Sequence, residues 1–179
     1  WFTHNEPMVV VEGGYLYQFH YPDLVDGKKA VQVAYNLQLA SSKAIPAFRK
    51  LNKNPYGKIG IILNLTPNYP ASDSEADKAA AHFADLWQNG LSMDASVKGE
   101  FPAALVDILT KDDVIWDATP EELDIIRQNN IDYLGVNFYH PNRARTPNNS
   151  SDSLAVTWFP NKYFEDYKKH GVRMHVDHG

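Results

Sequence analysis

Hydrophobic positions along the chain follow two rhythms, and the rhythms alternate. Ile59-Gly60-Ile61-Ile62-Leu63-Asn64-Leu65 is a short continuous apolar run bounded by Pro55-Tyr56-Gly57 and Thr66-Pro67, as suits a parallel strand covered on both faces. Ile131 to Tyr139 is another such run, ending in polar and aromatic groups, and Trp1 to Glu6 reads as the end of a third strand. Between the strands the spacing is helical. Val31, Ala34, Leu37, Ala44, Phe48 and Leu51 predict an amphipathic helix from about Gly27 to Asn52, which Pro46 should kink or divide. Ser72 and Glu75 are spaced as a capping box before the stripe Ala76, Ala79, Ala80, Phe83, Leu86 and Trp87, with Gly90 as its end. On that stripe Trp87 is most simply a core residue. Phe101-Pro102 opens a short helix through Leu109, and Thr119-Pro120-Glu121-Glu122 starts another with a cap, a proline at the first helical position and a glutamate three after the cap. The stretch after Pro7, with Gly13-Gly14 and the aromatic run Tyr15 to Pro22, reads as irregular. Residues 140 to 161 read as a long loop, followed by a helical turn around Tyr163 to Lys169.

Strand, helix, strand, helices, strand is the order of an α/β fold with parallel strands joined by right-handed crossovers. Three strands are only part of a closed (β/α)8 TIM barrel of roughly 250 residues. Residues 1–179 are therefore expected to be a single partial domain, and a start on Trp rather than Met suggests that an N-terminal part is missing. An open three-stranded sheet exposes unpaired backbone on both edges, so the chain alone is expected to self-associate.

Composition narrows the function classes. A formal charge of −5 with scattered Lys and Arg argues against a nucleic-acid partner. No apolar run is long enough for a bilayer span, so no membrane partner is expected. The absence of cysteine excludes disulfides and thiolate chemistry and is compatible with a cytoplasmic location. The three sequons carry little weight without a secretory signal. His175-Val176-Asp177-His178 invites a metal reading, but two histidines beside a chain end are more often solvated. No metal and no cofactor is expected.

The chemistry collects at strand ends. A glutamate closing a strand has its carboxyl delivered to the C-terminal rim of the sheet, where sites of α/β barrels are built. Glu6 is such a residue, with Asn5 beside it, and Asn137 and Tyr139 close the last strand. Taken singly each has a bland reading: a glutamate before proline is commonly a helix start, Asn137 can satisfy backbone groups, and Tyr139 can be a rim aromatic. The loop aromatics from Tyr15 to Tyr21 offer flat faces to a ligand ring, although packing on the barrel is the simpler reading.

Trp1-Phe2-Thr3-His4-Asn5-Glu6-Pro7 resembles the Asn-Glu-Pro signature at the end of the fourth barrel strand in family-one glycoside hydrolases. Leu134-Gly135-Val136-Asn137-Phe138-Tyr139 resembles that family's sixth-strand motif, and Ser96 to Pro102 its segment between strands five and six. Ala34 to Ala40 and Asn137 to Arg143 look most like bacterial 6-phospho-β-glucosidases. The resemblance implies that the chain lacks the first three and last two barrel strands. It implies a retaining β-glycosidase acting on β-glucosides or their 6-phosphates, with Glu6 as general acid/base, Asn5 on the sugar 2-hydroxyl, Tyr139 orienting the nucleophile and Asn137 lining the same subsite. The family's nucleophile, in a Glu-Asn-Gly motif, has no counterpart in the sequence, so the chain alone is expected to be inactive. His4 and Ser41 depart from the usual Phe and His of the family. An unphosphorylated β-glucosidase or β-galactosidase, and a non-catalytic carbohydrate-binding or structural piece, are the alternatives.

Overall fold

The computed structural model describes residues 1–145. Strands β1 (Phe2–Asn5), β2 (Gly60–Asn64) and β4 (Tyr133–Asn137) form a parallel three-stranded sheet in the order β1-β2-β4. Each crossover carries helices: α1 (Pro7–Tyr15) and α2 (Gly27–Leu51) between β1 and β2, then α3 (Glu75–Asp85), α4 (Leu91–Val97), α5 (Ala103–Lys111) and α6 (Pro120–Gln128) between β2 and β4. This is part of a (β/α)8 barrel, as the alternating rhythms predict. Ile61 and Leu63 point into the helix layer and are buried, while their neighbours Ile62 and Asn64 face the barrel lumen and are half-buried. The core lies between the helices, around the fully buried Tyr35, Phe83, Trp87, Leu91, Leu105 and Leu109. Each such large apolar side chain contributes about 1.5–3 kcal/mol when withdrawn from water.

Several local expectations are corrected. The segment after Pro7 is helical, because Pro7 takes the first helical position, where its missing N–H costs nothing. The aromatic run beyond it caps that helix: the amides of Phe19 and His20 both donate to the Gly13 carbonyl, and Leu24 and Asp26 donate to Gly14 and Tyr15. Pro46 does not divide α2, which runs unbroken to Leu51 with the proline on its exposed side.

The cap of α3 is Ser74, whose hydroxyl accepts from the Asp77 amide at 3.1 Å, while Ser72 braces the Asp77 carboxylate at 2.6 Å. Gly90 does not end the helix. The chain passes through a single π-turn, Leu86–Gly90, into α4, and Gly90 serves close packing, since a Cβ there would lie 3.1 Å from the Pro102 ring. The stop comes at Gly99, whose φ of +79° only glycine adopts without strain. The Thr119 capping box forms as predicted, with Thr119 and Glu122 each accepting from the other's backbone amide at 3.2 Å.

Trp116, which the sequence does not place, stacks on Tyr35 at 5.5 Å and meets Phe101 at 4.4 Å. Burial, reinforced by the Glu122 carboxylate that accepts the Tyr35 hydroxyl at 3.3 Å, pushes the Tyr35 phenol up to about 12. The expected loop beyond residue 140 contains a short strand, β5 (Asn142–Ala144), parallel to β3 (Asn68–Pro70) in a two-stranded ribbon. The rest of that loop, the turn at Tyr163 to Lys169, Trp158 and the terminal histidines lie outside the described residues.

Candidate active site

Strand β1 is irregular in a way that sets the site. Phe2 is in register with Gly60 and Asn5 with Ile62, so three steps along β1 match two along β2. One residue is extra, which is a β-bulge. Thr3 and His4 both turn to α2: the Thr3 and Ser41 hydroxyls meet at 2.7 Å, and His4 Nε2 lies 3.1 Å from the Leu37 carbonyl. Because registered neighbours share a face, the bulge brings Asn5 to the lumen side together with Phe2, Ile62, Gly135 and Asn137.

Glu6 follows at once. Its amide donates to the Ile62 carbonyl at 2.9 Å, prolonging the ladder, while its own backbone is left-handed at φ 50°, ψ 56°. Pro7 disfavours the right-handed helical conformation for the residue before it, and a non-glycine residue in the left-handed region is strained by an order of 1 kcal/mol or more. Bulge, strain and proline together aim one carboxyl across the strand ends, and such features concentrate at functional sites.

The four predicted residues come together. Asn137 Nδ2 donates to Glu6 Oε1 at 2.6 Å and to Asn5 Oδ1 at 3.3 Å, and the Tyr139 hydroxyl donates to the same Glu6 Oε1. Among the described residues the second carboxyl oxygen of Glu6 receives no hydrogen bond. Donation to the Glu6 carboxylate, with some desolvation and the negative charge itself, raises the Tyr139 phenol above its ordinary value. The resemblance gives Tyr139 to a nucleophile; here the phenol has its acceptor on Glu6. The arrangement presents an oriented carboxyl with one oxygen anchored and one open, suited to moving a proton to or from a bound molecule.

Sequence reading missed the bracket behind this rim. Asn89, in the π-turn, accepts from the Thr66 amide at 2.9 Å and donates to the Thr66 carbonyl at 2.8 Å, fixing the chain as it leaves β2. A buried asparagine within an apolar helical stripe is the signal that could have found it. Of the aromatics from Tyr15 to Tyr21, Tyr15 and Tyr17 pack on the core beside the buried Leu16, whereas Tyr21 is 94% exposed. Among the described residues no group of three or more His, Cys, Asp or Glu side chains could hold a metal ion, and no helix is long and apolar enough to cross a membrane.

Residues 1–176 match the profile of Glycosyl hydrolase family 1. Over all 179 residues the chain is 49% identical to the 6-phospho-beta-glucosidase GmuD of Bacillus subtilis, of which it spans 38%. It is 31% identical over 146 residues to a 6-phospho-beta-galactosidase of Clostridium acetobutylicum, covering 78% of this chain and 30% of that protein. Among solved structures, a family 1 β-glucosidase from Thermotoga maritima superposes with a TM-score of 0.72 at 26% identity, covering 93% of this chain and 40% of that one. The chain thus spans between 30% and 40% of the length of these relatives.

Proposed function

The chain belongs to glycosyl hydrolase family 1, and from that premise we propose that it is the central part of a retaining β-glycosidase in which Glu6 is the general acid/base. The observation that carries the reading is the Glu6 carboxyl, aimed across the strand ends with Asn137 and Tyr139 donating to one of its oxygens. The open oxygen faces the substrate. It gives its proton to the glycosidic oxygen as the bond to the leaving group breaks, and takes a proton back from the water that later attacks the glycosyl-enzyme.

The second carboxylate, about 5–5.5 Å from the first in retaining enzymes, comes from barrel segments that the relatives have and this chain does not span. The sequence has no Glu-Asn-Gly to supply it, so the chain by itself is inactive. Asn5, on the lumen face beside Glu6, takes the sugar 2-hydroxyl, and Asn137 lines the same subsite. Tyr139 orients the nucleophile in the complete barrel, where its hydroxyl turns from Glu6 to the second carboxylate.

The substrate is a β-glucoside carrying a 6-phosphate. The 49% identity over all 179 residues of this chain to part of a 6-phospho-beta-glucosidase supports this over the unphosphorylated reading. The enzyme works in the cytoplasm, in keeping with a sequence free of cysteine. The test is hydrolysis by the full-length protein of p-nitrophenyl β-glucoside and of its 6-phosphate, with Glu6→Gln as control. Turnover of the phosphorylated compound, abolished by the substitution, is the expected result. Turnover of the neutral compound alone selects the unphosphorylated alternative, and turnover of neither overturns the glycosidase reading.

A further inference from the structure

The helix layer holds a cavity of about 220 Å³ among α5, α6 and the turn that follows α4. The buried Trp116 and Ile126 form its floor, the half-buried Phe101, Val106 and Leu123 its walls, and the exposed Glu100 and Arg127 flank its mouth. All of them lie in the one crossover between β2 and β4. The Ile131 amide donates to the Ser96 carbonyl at 3.1 Å and the Asp132 amide to Ile59 at 2.8 Å, which puts this part of the crossover beside the N-terminal end of β4. Glu6, Asn137 and Tyr139 gather at the opposite end of the sheet. The cavity is therefore no part of the site that holds the proposed acid.

Its frame is fixed. Asn130 Nδ2 donates to the Val97 carbonyl at 2.8 Å and Asn129 Nδ2 to the Ile125 carbonyl at 2.8 Å, tying the end of α6 to α4 and to itself. The Phe101 and Trp116 rings meet at 4.4 Å, and Trp116 is backed by Tyr35. The charges at the mouth do not cancel. Arg127 is engaged by Asp124, and nearby Lys98 by Asp94 at 3.0 Å. Among the described residues Glu100 makes no ion pair.

We propose that this cavity is a binding site for an aromatic amine, whose ring lies against Phe101 and Trp116 and whose ammonium group meets the Glu100 carboxylate. Size admits the ring, since an apolar cavity of about 150 Å³ takes up benzene. Two aromatic side chains in the lining favour a flat ring in tilted or stacked contact over an aliphatic chain. A carboxylate only accepts hydrogen bonds, so the ligand must supply the donors. A cation does so with charge assistance and is drawn to the negative faces of the rings as well. An aromatic acid would meet Glu100 as a like charge and find the Arg127 guanidinium already occupied.

The test is an NMR titration of the full-length protein with 2-phenylethylamine and with its uncharged counterpart 2-phenylethanol, read from the relaxation of the ligand. The amine should bind with a Kd on the order of 1 mM and the alcohol about fivefold more weakly. Glu100→Gln should reduce the amine to the affinity of the alcohol. Val106→Phe, which fills the cavity, should weaken both about tenfold, and Glu6→Gln should weaken neither. Should Val106→Phe fail to fold, the change at the exposed Glu100 decides. Amine binding that is lost in Glu6→Gln and kept in Glu100→Gln would place the ligand at the strand ends and overturn the assignment. Equal affinity for amine and alcohol, or saturable binding of neither, would overturn it too. The readout is binding, so the outcome does not depend on the reaction proposed for Glu6.

Discussion

Tyr139 and Glu6 are 133 positions apart in the chain, and the phenol of one donates to the carboxylate of the other over the end of the strand between them. The bond shows in the ionisation of the tyrosine, which the carboxylate raises above the ordinary value near 10. In the isolated chain, which lacks the second carboxylate, a spectrophotometric titration of the unsubstituted protein minus Tyr139→Phe should isolate a phenol that ionises above the bulk of the exposed tyrosines. Glu6→Gln should bring it back down. A difference curve that follows the ordinary tyrosines and ignores Glu6→Gln would show that the contact does not persist in solution.

The acid role proposed for Glu6 has a leaving-group signature. A poor leaving group needs protonation and an activated one does not, so Glu6→Gln in the full-length enzyme should lower kcat on a disaccharide by about 10²–10⁴-fold. On a dinitrophenyl glycoside the first chemical step should be nearly unaffected, as read by the burst of released phenol. Equal losses of the burst rate on both substrates would assign Glu6 to another function.

Gly99 holds the turn out of α4 with φ +79°, and a Cβ there would lie 2.7 Å from the Arg127 carbonyl oxygen. Gly99→Ala meets strain and a backbone clash together, so the loss should exceed the roughly 1 kcal/mol typical of an unfavourable φ alone. Urea unfolding measures it, and a shift below half that value would mean that α6 yields.

Asp132 ties the outer end of β4 to β2 and α2. Its carboxylate accepts from the Ile59 amide at 2.9 Å and from Arg49 at 2.8 Å. The Ile59 amide chiefly, then Arg49, hold it below its ordinary value despite some desolvation. A carboxyl so lowered stabilises the fold above the unfolded value of about 4 and ceases to as pH falls through its folded value. Asp132→Asn should therefore lower the urea midpoint at neutral pH and narrow the gap between that midpoint and the one measured near pH 3. An unchanged gap would show that Asp132 carries none of the acid sensitivity.

Among the described residues β1 and β4 are the outer strands of the sheet, and Phe2 and Val136 on them and Phe138 and Tyr139 just beyond β4 are exposed. Open edges and apolar side chains together favour association. The isolated chain should elute as dimers or larger species in size-exclusion chromatography with light scattering. A monodisperse monomer that melts cooperatively would contradict this.

The rhythm of the sequence carried the fold because each strand and helix announces its own period: Ile59 to Leu65 reads as a strand and Val31 to Leu51 as a helix whatever surrounds them. The Thr119 capping box was legible for the same reason, being complete within four residues. Punctuation misled where its meaning depends on partners. Gly90 reads as a stop but lies within a continuous helical run, where the Pro102 ring leaves little room for a side chain, and Gly13-Gly14 reads as loop though distant amides cap the helix it closes. The four site residues were visible only through two motifs taken together. What brings them into contact was not visible, since a bulge is a relation between β1 and β2 rather than a property of either.

Two successive side chains of β1, Thr3 and His4, lean the same way, so everything after them is out of phase with a regular strand by one step. Length in this segment therefore matters more than identity. Replacing His4 trims one contact, whereas deleting it would send Asn5 into the helices and rotate the carboxyl behind it out of the mouth. A frame-preserving gain or loss of one codon there should therefore be intolerable even where many substitutions are harmless.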